Sequence, residues 1–153
     1  MRPRTVLDTS VVIVLARGRT ASERLRSVLG IGQPGRSFGV SVVTLGETLA
    51  FAKKACWGSP KIRNLESLFA SDLELVALDR RDIVEFYAEF DHYASKRAKP
   101  ARPMGQNDLW IAATARALDA ELATLDRDFD FLHEAGLLSR QWLDQGLLRT
   151  PAV

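Results

Sequence analysis

The fold is decided by one stretch of the sequence, residues 107–128, which reads NDLWIAATARALDAELATLDRD. Its first half, residues 108–118, is rich in alanine, the residue with the highest helix propensity, and predicts a helix. Its second half contains a short apolar run at 121–125, which predicts a strand, and Asp126 follows that strand directly. A helix that leads into a strand is the repeating unit of α/β proteins with parallel sheets.

The same alternation of strands and helices extends through the rest of the chain. Strands separated by helices imply right-handed crossovers and a mostly parallel central sheet with helices on both faces. No internal repeat or boundary is visible, so we expect one domain over residues 1–153, an ordinary domain size. Residues 137–143 (LLSRQWL) lack a strand pattern, and we predict irregular or helical structure there. Further strands are predicted at 5–7, 38–42 and 73–78. A first helix is predicted to start at residues 8–10 and continue over 11–15, and further helices at 21–29, 44–57, 61–70, 80–97 and 128–134. The helix at 80–97 is amphipathic, and its predicted buried side carries Ile83, Val84, Phe86, Tyr87 and Phe90.

The composition excludes several classes of protein. Hydrophobic residues make up 46% and charged residues 26%, which is typical of a globular domain and excludes a disordered or collagen-like chain. Cys56 is the single cysteine, which excludes an internal disulfide and a cysteine-based zinc site and favours a cytoplasmic location. No apolar run approaches the roughly 20 residues of a membrane span, and no signal peptide is evident, so we expect no membrane association. The net charge of +2 permits nucleic-acid binding without indicating it.

Four acidic residues that are far apart in the sequence are expected to meet at one edge of the sheet. Asp8 follows the first predicted strand, and Asp126 follows the strand at 121–125. Glu47 lies near the start of the helix after the second strand, and Asp108 opens the alanine-rich helix. Ligands of open parallel sheets bind at the carboxyl ends of the strands, near the point where the strand order reverses.

Each of these acids also has a purely structural interpretation, which is preferred when it is taken singly. Asp8 can be the N-cap of the following helix. Glu47 together with Thr44 fits the S/T-x-x-E capping box. Asp108 can complement a helix dipole, and Asp126 can be a turn former.

Taken together, the four carboxylates favour a metal site. Two carboxylates about 4 Å apart repel by about 4 kcal/mol at an effective dielectric of about 20, so an uncompensated cluster would be destabilising. The simplest compensation is a hard divalent cation with oxygen ligands, Mg²⁺ or alternatively Mn²⁺. Such an ion lowers the pKa of a bound water and stabilises charge on a phosphoryl oxygen. A carboxylate site in a chain with two histidines therefore points to phosphodiester hydrolysis without a covalent intermediate.

Four blocks of the sequence resemble a known family. They are Val6-Leu7-Asp8-Thr9-Ser10, Thr44-Leu45-Gly46-Glu47, NDLWIAATA at 107–115 and ATLDRDF at 123–129. In order and spacing these blocks are similar to PIN-domain proteins, and more narrowly to the VapC-type toxins of bacterial toxin–antitoxin pairs. The resemblance spans residues 5–131, and NDLWIAA is its most specific part.

The resemblance implies a PIN-like three-layer sandwich that acts as a Mg²⁺- or Mn²⁺-dependent endoribonuclease and cleaves RNA with a metal-activated water. The implied catalytic and metal-binding residues are Asp8, Glu47, Asp108 and Asp126, with Thr9, Asn107, Thr124 and Asp128 in supporting positions. Two other functions remain open. One is a PIN nuclease that processes RNA without being a toxin, and the other is a non-catalytic RNA-binding or protein-interaction module. A repelling acidic cluster argues against the second, because a non-catalytic module has no need of one.

The resemblance also implies an RNA substrate, a cognate antitoxin and a homodimer. An antitoxin helix needs an apolar groove, and candidate lining residues on two predicted helices are Leu49, Phe51, Trp57, Leu25 and Leu29. The alternative, expected for about half of them, is that these side chains fill the core. RNA phosphates need a basic rim to offset the acids. Two runs are candidates for that rim, namely Lys96, Arg97, Lys99 and Arg102, and Arg17, Arg19, Arg24 and Arg26.

Overall fold

The computed structural model describes residues 2–96 and 104–149, and these form an α/β structure around one parallel sheet. The strands are β1 (Thr5–Leu7), β2 (Phe38–Ser41), β3 (Leu73–Val76), β4 (Glu121–Thr124) and β5 (Arg140–Trp142). The helices are α1 (Thr9–Arg17), α2 (Arg19–Leu29), α3 (Val42–Lys54), α4 (Ser59–Ser67), α5 (Arg81–Ser95), α6 (Gln106–Ala117) and α7 (Asp130–Glu134). A π-helical turn, Leu68–Asp72, precedes β3, and a 3-10 turn, Gln145–Leu148, follows β5. The predicted fold class is confirmed.

The sheet separates two hydrophobic cores. Successive side chains of a strand point to opposite faces, so Val6 joins one core and Leu7 the other. The first core is built mainly from α5, α6 and the segment around α7, and includes the fully buried Phe90 and Phe129. The second is built mainly from α1, α2 and α4, and includes Leu25. Burial on both faces explains why the three inner strands, β1, β2 and β4, show no alternation of buried and exposed residues.

The strand order decides where a ligand site can form. The order is β3-β2-β1-β4-β5, and every neighbouring pair is parallel. The chain builds outward from β1 through β2 to β3, then returns to the other side of β1 for β4. The strand order therefore reverses between β1 and β4, and a crevice is expected at their carboxyl ends.

Local hydrogen bonds place two helix starts earlier than predicted. Ser41 ends β2 and is the N-cap of α3, because its hydroxyl accepts a 3.1 Å bond from the Val43 backbone N–H. The capping box predicted for Thr44 and Glu47 is therefore wrong, since Thr44 is buried inside the helix. Helix α6 begins at Gln106, so Asp108 lies in its first turn, not at its start.

The predicted irregular or helical structure of residues 137–143 is wrong, because Arg140–Trp142 forms β5. It pairs in parallel with β4, with Leu122 opposite Arg140 and Thr124 opposite Trp142. The Leu143 N–H also donates a 2.8 Å bond to the Thr124 carbonyl. Without β5, the open edge of β4 would leave its backbone groups unpaired, so sheet pairing overrides the weak local preference.

Helix α5 buries a narrower face than predicted. Ile83 and Phe90 are fully buried, but Val84 is 43% exposed. Val84 directly follows Ile83, and successive side chains of a helix point in different directions. In the part of the chain that the structure describes, no helix has both the length and the apolar character needed to cross a bilayer.

Candidate active site

Asp8 lies where β1 ends and α1 begins, on the β1 side of the strand-order reversal. It is the N-cap of α1, since its Oδ1 accepts a 2.8 Å bond from the Thr9 backbone N–H. Its Oδ2 accepts bonds from the hydroxyls of Ser10 at 2.9 Å and Thr124 at 2.7 Å. Asp8 is only 3% exposed, and burial raises its pKa despite these three hydrogen bonds. The capping interpretation is confirmed, and it leaves Oδ2 directed towards β4.

Glu47, in the second turn of α3, is held from two sides. The Thr9 hydroxyl donates a 2.6 Å bond to its Oε1, and the Asn107 side-chain amide donates a 3.2 Å bond to its Oε2. The Thr9 hydroxyl is also 3.2 Å from that of Thr44. The carboxylate of Glu47 therefore links the start of α1 to the start of α6.

Asp108 is at the electrostatic centre of the acidic residues. Its pKa is raised to about 7, first by burial and then by the negative charges of Asp8, Glu47, Asp128 and Asp126, in that order. The structure thus brings the four predicted catalytic acids, and Asp128 with them, close enough to influence one side chain.

Thr124 and Asp126 form the β4 side of the site. The Thr124 side chain is fully buried, and its hydroxyl accepts a 3.0 Å bond from the Asp126 N–H while it donates to Asp8. Asp126 and Asp128 are exposed. The hydroxyl predicted as a supporting group therefore connects the ends of β1 and β4.

The donor chemistry of the site fits a hard divalent cation, because all four acids offer carboxylate oxygens and their charges accumulate around Asp108. Among residues 2–96 and 104–149, no three His, Cys, Asp or Glu side chains lie in an arrangement that could hold an ion. Hydroxyl and amide donors occupy the oxygens of Asp8 and Glu47 in this arrangement. The roles of the individual acids as ligands therefore remain a prediction.

Ser10 is a site residue that sequence reasoning missed. Its hydroxyl donates to Asp8 Oδ2 and accepts a 3.2 Å bond from the Leu125 N–H. Ser10 and Thr124 thus make equivalent bridges from Asp8 to the backbone after β4. The available signal was the position of Ser10 in the first turn of the helix that Asp8 caps.

Three arginines of one predicted basic run make contacts within the chain. Arg24 donates to the Arg149 carbonyl, and Arg26 forms a 3.2 Å ion pair with Asp72, so both have partners within the chain. The guanidinium of Arg17 lies 5.2 Å from the ring centre of Phe51. Of the other run, Lys96 is exposed, whereas Arg97, Lys99 and Arg102 lie outside the described residues.

A parallel sheet in this order, with acidic side chains gathered where the order reverses, defines a class of α/β proteins with an acidic crevice at the sheet edge. The model of one such family, the PIN domain, matches residues 5–133, which is most of the chain. The chain belongs to the PIN domain family. The resemblance found in the four sequence blocks is confirmed.

One related sequence and two solved structures are similar to this chain over most of its length. Ribonuclease VapC1 of Haemophilus influenzae strain R2866 is 31% identical over 125 residues, which cover 78% of this chain and 84% of that protein. The structure of VapBC-1 from nontypeable H. influenzae has a TM-score of 0.66 at 24% identity, over 90% of this chain and 96% of that one. The structure of VapBC-5, a toxin–antitoxin system of Mycobacterium tuberculosis, has a TM-score of 0.60 at 27% identity, over 92% of this chain and all of that one.

Proposed function

We propose that this protein is a divalent-metal-dependent endoribonuclease and the toxin of a toxin–antitoxin pair. The observation that carries the proposal is the group of carboxylates around Asp108, at the edge where the strand order reverses. Membership of the PIN domain family and the likeness to a ribonuclease VapC support the same activity. We further propose that the chain forms one domain and works in the cytoplasm.

The residues that would hold the cation are Asp8, Glu47, Asp108 and Asp126, with Mg²⁺ as the first candidate and Mn²⁺ as the second. When bound, such an ion supplies a water of lowered pKa and neutralises charge on the phosphoryl group. Without metal the pKa of Asp108 is raised to about 7, and a bound cation would favour the ionised carboxylate that can act as its ligand. The hydroxyls of Ser10 and Thr124 fix the orientation of the Asp8 carboxylate, while Thr9 and Asn107 fix that of Glu47.

The partner proposal has support on the surface of α3. Leu49 is 43% exposed, and Phe51 and Trp57 are half-buried with their rings edge to face. Leu25 and Leu29 are buried, so these two fill the core, as the alternative interpretation expected, and do not line a groove. A pocket of about 310 Å³ between α3 and α4 is lined by Leu49, Ala52, Lys53, Cys56, Trp57 and Ile62. We propose that an antitoxin helix covers this surface, and that the toxin is a homodimer.

Cleavage of a labelled single-stranded RNA tests the enzymatic proposal. Activity should require Mg²⁺ or Mn²⁺, stop with EDTA, and fall by orders of magnitude in Asp108→Asn. The matched control is Asp82→Asn, which also removes a first-turn acid but lies outside the acidic group, in α5. Equal cleavage by Asp108→Asn and the parent protein would contradict the proposal.

Co-expression with the protein encoded by the neighbouring small gene tests the toxin proposal. Expression of this chain alone should arrest growth, and the neighbour should restore growth, co-purify and suppress cleavage. Light scattering of the purified chain should give the mass of a dimer. Normal growth without the neighbour, together with undiminished cleavage in its presence, would leave a nuclease that is not a toxin.

A further inference from the structure

Arg127 and Trp142 form a contact at the sheet edge that the acidic site does not use. The Arg127 guanidinium carbon lies 3.6 Å from the centre of the Trp142 ring, close enough to cover the ring face. The Trp142 Nε1 is buried and has no hydrogen-bond partner in the described part of the chain. The indole therefore contacts Arg127 through the face of its ring, and its N–H takes no part in that contact.

The register of the sheet places this contact beside the acids. Trp142 is the last residue of β5 and pairs with Thr124, the last residue of β4, whose hydroxyl donates to Asp8. Residues that pair across strands project from the same face. Arg127 follows Asp126 in the sequence, and its guanidinium covers the ring of Trp142, at the carboxyl end of β5 and next to that of β4.

Arg127 shares one carboxylate, that of Asp130, with Arg140. Asp130 pairs with Arg140 at 2.8 Å, and both of these side chains are mostly buried. The other oxygen of Asp130 is 3.4 Å from Arg127, whose side chain is 63% exposed. Asp130 thus contacts two guanidinium groups, and its contact with Arg127 is the longer one, so the exposed Arg127 side chain can also reach a ligand.

RNA that binds near these carboxylates requires a positively charged side chain to hold its phosphates. Phosphates that approach the acidic crevice are repelled by its carboxylates, and arginine offers planar donors that bind phosphate oxygens in pairs. Base stacking on Trp142 is disfavoured, because Arg127 already covers a face of the ring. Resting on the proposed function, we infer that Arg127 binds a phosphate of the RNA strand next to the cleaved bond, and that Trp142 is the positioning residue that holds it there.

The test is the binding of a fluorescein-labelled single-stranded RNA to full-length protein carrying Asp108→Asn, measured by anisotropy over a range of KCl concentrations. Arg127→Ala should weaken binding about tenfold, as loss of a charged hydrogen-bonded contact does. It should also reduce the slope of log Kd against log salt by about 0.7, the value for one phosphate on a single strand. Arg127→Lys should recover the slope but only part of the affinity. Trp142→Phe should retain both, and melting curves would verify that each variant is folded.

Arg116 provides a matched control. It has the same surroundings as Arg127, an aromatic ring (Phe86, 5.0 Å from its guanidinium) and an aspartate three residues later (Asp119, 4.0 Å). It lies in the last turn of α6, however, at the opposite end of that helix from Asp108. Arg116→Ala should change neither affinity nor slope.

The outcomes separate this inference from the proposed function. If the parent cleaves RNA but Arg127→Ala and Arg116→Ala bind it equally well, the inference is wrong and the nuclease stands. If the arginine variants differ as expected but the parent with intact Asp108 cleaves nothing, the RNA contact stands and the nuclease fails. An Asp108→Asn protein that binds no RNA would overturn the inference. In cleavage kinetics, Arg127→Ala should raise KM with little change in kcat, because the contact is made before the reaction begins.

Discussion

Replacing Asp108 by Asn should stabilise the metal-free protein, although it removes a side chain proposed to be essential for cleavage. The pKa of Asp108 is raised from 3.8 to about 7 by burial and by four neighbouring carboxylates. Ionisation of Asp108 is therefore much more costly in the folded protein than in the unfolded chain. Asn has a similar shape and carries no charge, so Asp108→Asn removes this cost.

The size and pH range of the effect follow from the same pKa. One pKa unit corresponds to about 1.4 kcal/mol, so a rise from 3.8 to about 7 gives an upper limit of about 4 kcal/mol. Solvent reaches part of this side chain, and we expect about 2 kcal/mol in practice. The folded state holds the Asp108 proton more tightly than the unfolded chain does. The stability that this proton contributes is therefore fully present below about pH 4 and is lost as the pH rises to about 7. The gain in unfolding free energy of Asp108→Asn over the parent should therefore be near zero below about pH 4. It should grow between about pH 4 and about pH 7, and stay constant at higher pH.

Urea unfolding across this pH range, in EDTA, measures the effect by linear extrapolation. The control is Asp82→Asn, for which the opposite sign is expected. A hydrogen bond from Arg80 is the main cause of the lowered pKa of Asp82, so its ionised form adds stability above the usual pKa. The parent should also gain melting temperature from Mg²⁺, and Asp108→Asn should gain less, because a ligand stabilises only the state that binds it. An Asp108→Asn protein less stable than the parent at about pH 8 without metal would refute the reasoning.

Two further changes test the packing of the site and the core. Thr124→Val removes the hydroxyl that donates to buried Asp8 and should cost about 1.5–3 kcal/mol of unfolding free energy. Thr124→Ser keeps a hydroxyl and should cost much less. Equal losses for the two variants in urea unfolding would count against the hydrogen bond from Thr124 to Asp8. Phe90→Ala should destabilise by about 3–5 kcal/mol, because Phe90 is fully buried. Val84→Ala, on the exposed side of α5, should be within about 0.5 kcal/mol of the parent. Comparable losses for the two variants would show that the buried face of α5 is wider than described.

The sequence was sufficient for the features that local patterns encode. Short apolar runs and the helices between them predicted the parallel sheet, and the acids that follow β1 and β4 predicted a site at its carboxyl edge. These features depend on residues within a few positions of one another, such as Asp8 directly after Leu7. The four acids were expected near this edge because parallel strands bring their carboxyl ends together, whereas Ser10 was missed. The assignment of a metal ligand to each acid remains a prediction.

Tertiary structure alone decided the features that depend on residues far apart in the sequence. Strand β5 exists because β4 offers an open edge, and residues 137–143 carry no pattern that reveals this. The bond from Thr124 to Asp8 spans 116 positions, and the contact of Arg127 with Trp142 joins a loop to the edge strand. The raised pKa of Asp108 likewise depends on burial and on charges from other elements, and both exist only once the chain has folded. Local sequence therefore placed the four acids near the carboxyl edge of the sheet, whereas distances set by the complete fold determined their charge and their hydrogen-bond partners.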